Sequence, residues 1–290
     1  MRNDSTGPPH PATVLLLTLG AGITGVLAGT LLILMWQYHD PALLSPGLET
    51  TVTSRQNLRC ALFLNTLFTF VLPAIAVLAY SYRSRIAAYL GTDHIGRSSD
   101  NLAGLLLFLA ALPAISFANW LNQQVPLPGW LAGAEDGANA SLRAVLTIET
   151  PSEFALSFLV IALLAALGEE LIFRGILQRQ LDRLFGTGHL SIWLAAFIFS
   201  AIHFQFAGFL PRLLLGAALG YAYRWSGSLF TPIALHAAFN GVQVIAVTFL
   251  PDQEFDPLVK EMPDPSWAAL SLVAVVLIIW LRRPTEAREN

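Results

Sequence analysis

The chain has 290 residues, 55% hydrophobic and only 12% charged, with a mean hydropathy of +0.60. A soluble domain carries roughly 25% charged residues, and apolar segments recur along the whole length, so a single soluble globular domain is excluded. The formal charge of −3 and the lack of a dense basic patch argue against nucleic acid as a partner. The one cysteine, Cys60, permits neither an intramolecular disulfide nor a thiolate metal cluster and reads as an inert packed thiol.

Met1-Arg2-Asn3-Asp4 and Pro8-Pro9-His10-Pro11 precede a long, Gly-containing apolar run. A cleaved signal peptide has a shorter apolar core and a small-residue cleavage site, so a retained first span is expected. Eight segments approach the length needed to cross about 30 Å of hydrocarbon at 1.5 Å per residue: 12–37, 58–80, 101–119, 154–178, 189–206, 209–225, 229–250 and 267–281. The expected fold class is therefore all-α, a polytopic transmembrane bundle of about eight spans, forming one integral membrane domain over 1–290. No repeat or low-complexity linker divides it.

With the N-terminus inside, one side of this arrangement carries Arg2, Arg83, Arg85, Arg97, Arg179, Arg183, Arg224, Arg282, Arg283 and Arg288. The other carries Arg55, Arg59, Arg143, Arg212 and Lys260. The excess on the first side fits the positive-inside bias and places both termini in the cytoplasm. The connection 119–153 contains Pro126, Pro128, Gly129, Gly133 and Gly137 and reads as irregular chain with a short surface helix. Pro151-Ser152-Glu153 suits a helix start. Gly25 and Gly29 in the first span, and Gly216 and Gly220 in the sixth, allow helices to approach closely.

The fourth segment is interrupted by Glu169 and Glu170, with Arg174 one turn on. Ionisable groups in hydrocarbon are costly and by default mark a pathway or a reaction centre. Glu170 and Arg174, four apart, share a face and can pair, while Glu169 projects about 100° away and can face a cavity. Phe199 and His203 share a face of the fifth segment, and His236 and Asn240 a face of the seventh. An ion pair snorkelling to the interface, or a histidine bonding between helices, explains each piece alone. Two histidines, paired glutamates and an asparagine on three segments are harder to explain separately. Such a set supports hydrolysis: a carboxylate beside an imidazole takes a proton from water, while imidazole and carboxamide donors stabilise an oxyanion. Two histidines and a glutamate are also a plausible zinc set, although His-Glu-x-x-His is absent. Spacing alone does not decide between zinc-bound and carboxylate-bound water.

The motifs Glu169-Glu170-x-x-x-Arg174, Phe199-x-x-x-His203 and His236-x-x-x-Asn240, in this order and with Phe173 and Gly175 around the arginine, resemble the CPBP family. This family, also called Abi, comprises CAAX proteases and bacteriocin-processing enzymes. The resemblance covers about 155–245, within a motif-bearing core of about 154–250. It implies a glutamate-dependent intramembrane endopeptidase with its site inside the helical bundle. By that likeness Glu169 is the general base, His203 assists it, and His236 and Asn240 form the oxyanion pair. Glu170 and Arg174 support the site, with Glu170 in proton handling, and Phe199 packs against the catalytic elements. Family members have been described both as metal-dependent and as metal-free glutamic proteases. The expectation here is no cofactor, with zinc on Glu169, His203 and His236 as the alternative.

The implied partners are the lipid bilayer and a peptide or protein substrate, either a lipidated or membrane-associated protein or a bacteriocin-like peptide. Sequence sets no oligomeric state. The short chain reads as a bacterial inner-membrane protein. A non-proteolytic peptide-binding or immunity protein is the main alternative. A proton-coupled transporter is disfavoured by the missing inverted repeat.

Overall fold

The computed structural model describes residues 9–40, 51–186, 188–250 and 261–282, the side chains of residues 130, 132 and 134 excepted. Arg2, Lys260, Arg283, Arg288 and most of the connection 251–266 lie outside these residues. All regular structure among the described residues is helical. The elements are α1 (Pro11–His39), α2 (Val52–Leu90, broken at Arg83, where φ is 48°), α3 (Ser98–Gln123), α4 (Gly129–Leu146), α5 (Pro151–Phe185), α6 (His189–Ala201), α7 (Phe209–Ser226), α8 (Phe230–Phe249) and α9 (Pro265–Leu281). Six are long and apolar enough to cross a membrane: α1, α2, α3, α5, α8, and α7 with the short turn before it. The protein is an all-α, polytopic membrane bundle.

Two of the eight expected spans are shorter. The segment expected at 189–206 is helical only over His189–Ala201, 13 residues, or about 20 Å. Beyond it Phe204 takes φ 52°, left-handed backbone that an α-helix of L-residues cannot contain. His203 therefore lies past a helix end and not within a span. The last helix, α9, has 17 residues. The connection expected to be irregular over 119–153 also differs, since α4 is a helix of 18 residues. Its glycines mask an amphipathic period in which Glu135, Ala144 and Val145 are buried.

Local chemistry explains several elements. The start of α5 is closed by a capping box, Thr150 accepting from the Glu153 N–H and Glu153 from the Thr150 N–H. Pro113 interrupts the α3 ladder. Ser271 of α9 bridges that point, accepting from the Ala114 N–H and donating to the Ala110 carbonyl. A neighbouring helix can thus restore backbone bonds at a proline kink in lipid. A side chain at Gly25 would collide with the Phe68 carbonyl of α2, and Gly29 sits on the Phe68 ring. Gly216 and Gly220 likewise let α7 lie against Ala196 and Ile192 of α6.

Candidate active site

The carboxylates sit where α5 departs from α-helical winding. Residues Phe158–Leu164 and Leu171–Gln178 form wider π-turns, leaving Ala165–Glu170 as a single α segment between them. Such bulges leave backbone groups for other partners and recur at functional sites. Here the Ile161 carbonyl accepts from Asn240 Nδ2 at 3.0 Å, which ties α8 to the first bulge. Gly175 fits the second because a Cβ there would press on Leu90 at 2.9 Å.

Glu170 and Arg174 are both buried and paired, with Arg174 Nη1 2.5 Å from Glu170 Oε1. Arg174 Nη2 donates to the Gly216 carbonyl at 2.8 Å, and its guanidinium lies 5.1 Å from the Phe199 ring centre. Glu170 Oε1 also meets His236 Nδ1 at 2.8 Å, while Oε2 is buried without a hydrogen bond. One carboxylate thus fixes both the arginine and one histidine. Phe199 fills the space between these groups, edge-on to Phe173 at 5.0 Å, to His203 at 5.2 Å and to His236 at 6.0 Å.

Glu169 is held differently. His203 Nε2 stands 4.0 Å from its Oε1, and His236 Nε2 stands 3.7 Å from its Oε2. Both separations exceed a direct hydrogen bond. The other nitrogen of each ring is engaged, His203 Nδ1 on the Phe199 carbonyl at 2.8 Å and His236 Nδ1 on Glu170. A neutral ring that donates from Nδ1 turns an unprotonated Nε2 toward Glu169. The structure thus brings Glu169, Glu170, Arg174, His203 and His236 together around Phe199, and places Asn240 one turn beyond His236. Among the described residues no three His, Cys, Asp or Glu side chains converge as a metal-binding group.

Three further residues shape the site from outside the motifs. Asn122 of α3 donates to the Phe206 carbonyl at 2.7 Å and accepts from the Leu210 N–H at 2.7 Å. Glu135 of α4 accepts from the Ala207 N–H at 2.9 Å. Arg212 of α7 bonds the Gln205 side chain at 3.1 Å and its carbonyl. These contacts grip the turn that carries His203, and Arg212 lies within electrostatic reach of both Glu169 and His203. In the sequence the one signal is Arg212 itself, a charge inside an apolar run.

A buried carboxylate and two imidazoles inside a helical bundle define a class of membrane proteins with a polar cluster in the bundle. Comparison with known proteins narrows that class. Residues 151–242, about a third of the chain, match the family described as type II CAAX prenyl endopeptidase Rce1-like. This part of the chain is similar to that family, as the motifs are to the CPBP-type endopeptidases. The uncharacterized protein YpbD of Bacillus subtilis (strain 168) is 32% identical over 93 residues, covering 31% of this chain and 44% of the relative. The chain thus spans less than half the length of that relative. No solved structure matches.

Proposed function

We propose that the protein is an intramembrane endopeptidase in which Glu169 activates the attacking water. The observation that carries this reading is the placing of two imidazole Nε2 atoms against the two oxygens of Glu169, at 4.0 and 3.7 Å. Those separations suit a water or substrate oxygen shared between carboxylate and imidazole. Glu169, assisted by His203, takes a proton as the water oxygen bonds to the scissile carbonyl carbon. The oxyanion is met by His236, which can donate from both nitrogens when doubly protonated, and by the Asn240 amide. Collapse breaks the C–N bond, and the proton on Glu169 passes to the leaving amine. Glu170 and Arg174 hold His236 in place, with Glu170 Oε2 available to relay protons.

Substrates of this reading are lipidated or membrane-associated proteins, or bacteriocin-like peptides, cut in the inner membrane of a bacterium with both termini of the enzyme cytoplasmic. The test is cleavage of a peptide library by detergent-purified protein, alongside Glu169→Gln and a zinc chelator. Cleavage lost in the variant and retained under chelation supports the proposal. Loss under chelation with recovery on adding zinc overturns the metal-free mechanism. Peptides bound equally by both proteins and cut by neither favour a binding protein.

A further inference from the structure

The turn that carries His203 is bonded unequally along its length. Toward α7, the carbonyls of Gln205 and Phe206 and the N–H groups of Ala207 and Leu210 are all taken by side chains of Arg212, Asn122 and Glu135. Next to His203 the backbone is left open. Among the described residues, the N–H groups of His203, Gln205 and Phe206 and the carbonyls of His203 and Phe204 make no hydrogen bond. The open stretch is reachable, with Phe204 74% and Phe206 37% exposed.

Its depth makes this openness unusual. Helix α6 starts beside the Phe185 end of α5 and has 13 residues, about 20 Å against a hydrocarbon core of about 30 Å. The turn after it therefore lies within the depth that the longer helices cross. Irregular backbone at that depth is tolerated only where it is covered by protein or lines a wet cavity. Gln205 is extended, at φ −108° and ψ 93°. Phe204 holds φ 52°, a conformation costly for a bulky residue and one that clusters at functional sites. Side chains of α3, α4 and α7 thus clamp an extended segment in place, and its uncapped groups begin at the histidine that stands 4.0 Å from Glu169.

A peptide awaiting hydrolysis needs such partners. In a helix its carbonyls are bonded to its own N–H groups, so presenting a scissile carbonyl requires unwinding. Each group freed in this way is costly to leave unpaired away from water. Main-chain pairing with an extended segment restores those bonds, as when a peptide adds to an exposed strand edge. We propose that the substrate docks as an extended strand on the backbone of residues 203–206, which brings its scissile amide to Glu169. This rests on the endopeptidase reading and adds the mode of recognition. Main-chain pairing reads little side-chain sequence, and the exposed Phe204 and Phe206 rings favour apolar residues in the substrate.

The test is hydrogen–deuterium exchange of the full chain in detergent, made in Glu169→Gln so that peptide is not consumed. The probe is a short end-blocked peptide of alternating Ala and Leu. Without it the fragment spanning residues 203–206 is expected to exchange fast, as unpaired amides do; with it, several-fold more slowly. The same peptide N-methylated at every residue has no N–H to donate and is expected to give no slowing. Phe206→Pro removes a free N–H at the first position of the short turn, where proline is tolerated. Phe206→Ala loses the same ring but keeps the N–H. Several-fold weaker protection is expected in the proline variant than in the alanine one, each scored only if its melt matches wild type; otherwise the two peptides decide alone. Equal protection by plain and N-methylated peptide, no protection, or a fragment already protected without peptide overturns the proposal. Cleavage of library peptides by wild type is followed alongside. Protection without any cleavage supports the docking and counts against the protease, whereas cleavage without protection keeps the protease and overturns the docking.

Discussion

Glu169 and Glu170 are neighbours with different surroundings, and the proposed division of roles between them follows from that difference. Glu170 is saturated on one oxygen by Arg174 and His236, whereas Glu169 has His236 and His203 across 3.7 and 4.0 Å and Arg212 only within electrostatic reach. Glu169→Gln keeps the shape and removes the base, so peptide cleavage is expected to vanish while the thermal melt in detergent stays within a degree or two. Arg174→Ala does the reverse, stranding a buried carboxylate. Breaking a buried pair in this way costs about 3–5 kcal/mol, so a markedly lower unfolding midpoint and poor folded yield are expected. A melt unchanged from wild type would contradict the pairing. Arg212 acts through the turn it grips. Arg212→Gln releases Gln205 and lets His203 drift, and a shift of about 1 Å at a reacting group costs about 10²-fold in rate. The expected signature is a fall in kcat with KM and melt little changed, and equal kcat in the two proteins would remove Arg212 from the positioning set.

At the scale of elements, the far end of α5 is fixed by charges that touch no site residue. Arg55 and Arg59 of α2 are buried and both bond Glu153, at 2.7 and 2.9 Å. Arg59 also donates to Ser157 Oγ at 2.7 Å and to the Val145 and Thr147 carbonyls at 2.9 and 2.6 Å. This knot joins α2, the end of α4 and the start of α5 just before the first π-turn. Arg59→Ala removes one of the two arginines on Glu153 and the donor to the Thr147 carbonyl, while Arg55 stays on Glu153 and Ser157 on the Val145 carbonyl, and about 1–3 kcal/mol of destabilisation is expected in a denaturant titration. None of this is legible in spacing, because the partners lie 86 to 98 residues apart. What spacing does reveal is any pair on one helix face: Glu170 with Arg174, Phe199 with His203, the Pro151 helix start. The π-turns, the grip of Asn122 and Glu135 on the His203 turn, and the helix hidden among the glycines of 129–146 depend on tertiary neighbours. A one-dimensional period does not contain them.

Outside the Glu170 cluster, the Asn240–Ile161 bond and the Ser271 bridge, the long-range polar contacts named here sort into two rims. At one end Arg183 bonds the Pro9 carbonyl and Tyr82, Ser228 bonds the His94 carbonyl, and Arg282 pairs with Asp100. At the other are the Arg55–Arg59–Glu153 knot and the contacts of Asn122, Glu135 and Arg212. Arginines grouped on one side by loop-charge counting, Arg179, Arg183, Arg224 and Arg282, fall at the first rim, and Arg55, Arg59 and Arg212 at the second. Helix α3 joins the two rims with 26 residues, about 39 Å and longer than the roughly 30 Å hydrocarbon core. Its flanks therefore test the membrane arrangement directly. In a Cys60→Ala background, Asp93→Cys and Gln124→Cys each expose one thiol just outside α3, at positions that are both exposed to solvent. With the excess of arginine held inside, an impermeant maleimide is expected to label Gln124→Cys in spheroplasts and Asp93→Cys only after lysis. Labelling of both thiols from one side would mean that α3 does not cross. The reverse pattern would keep the bundle and invert it.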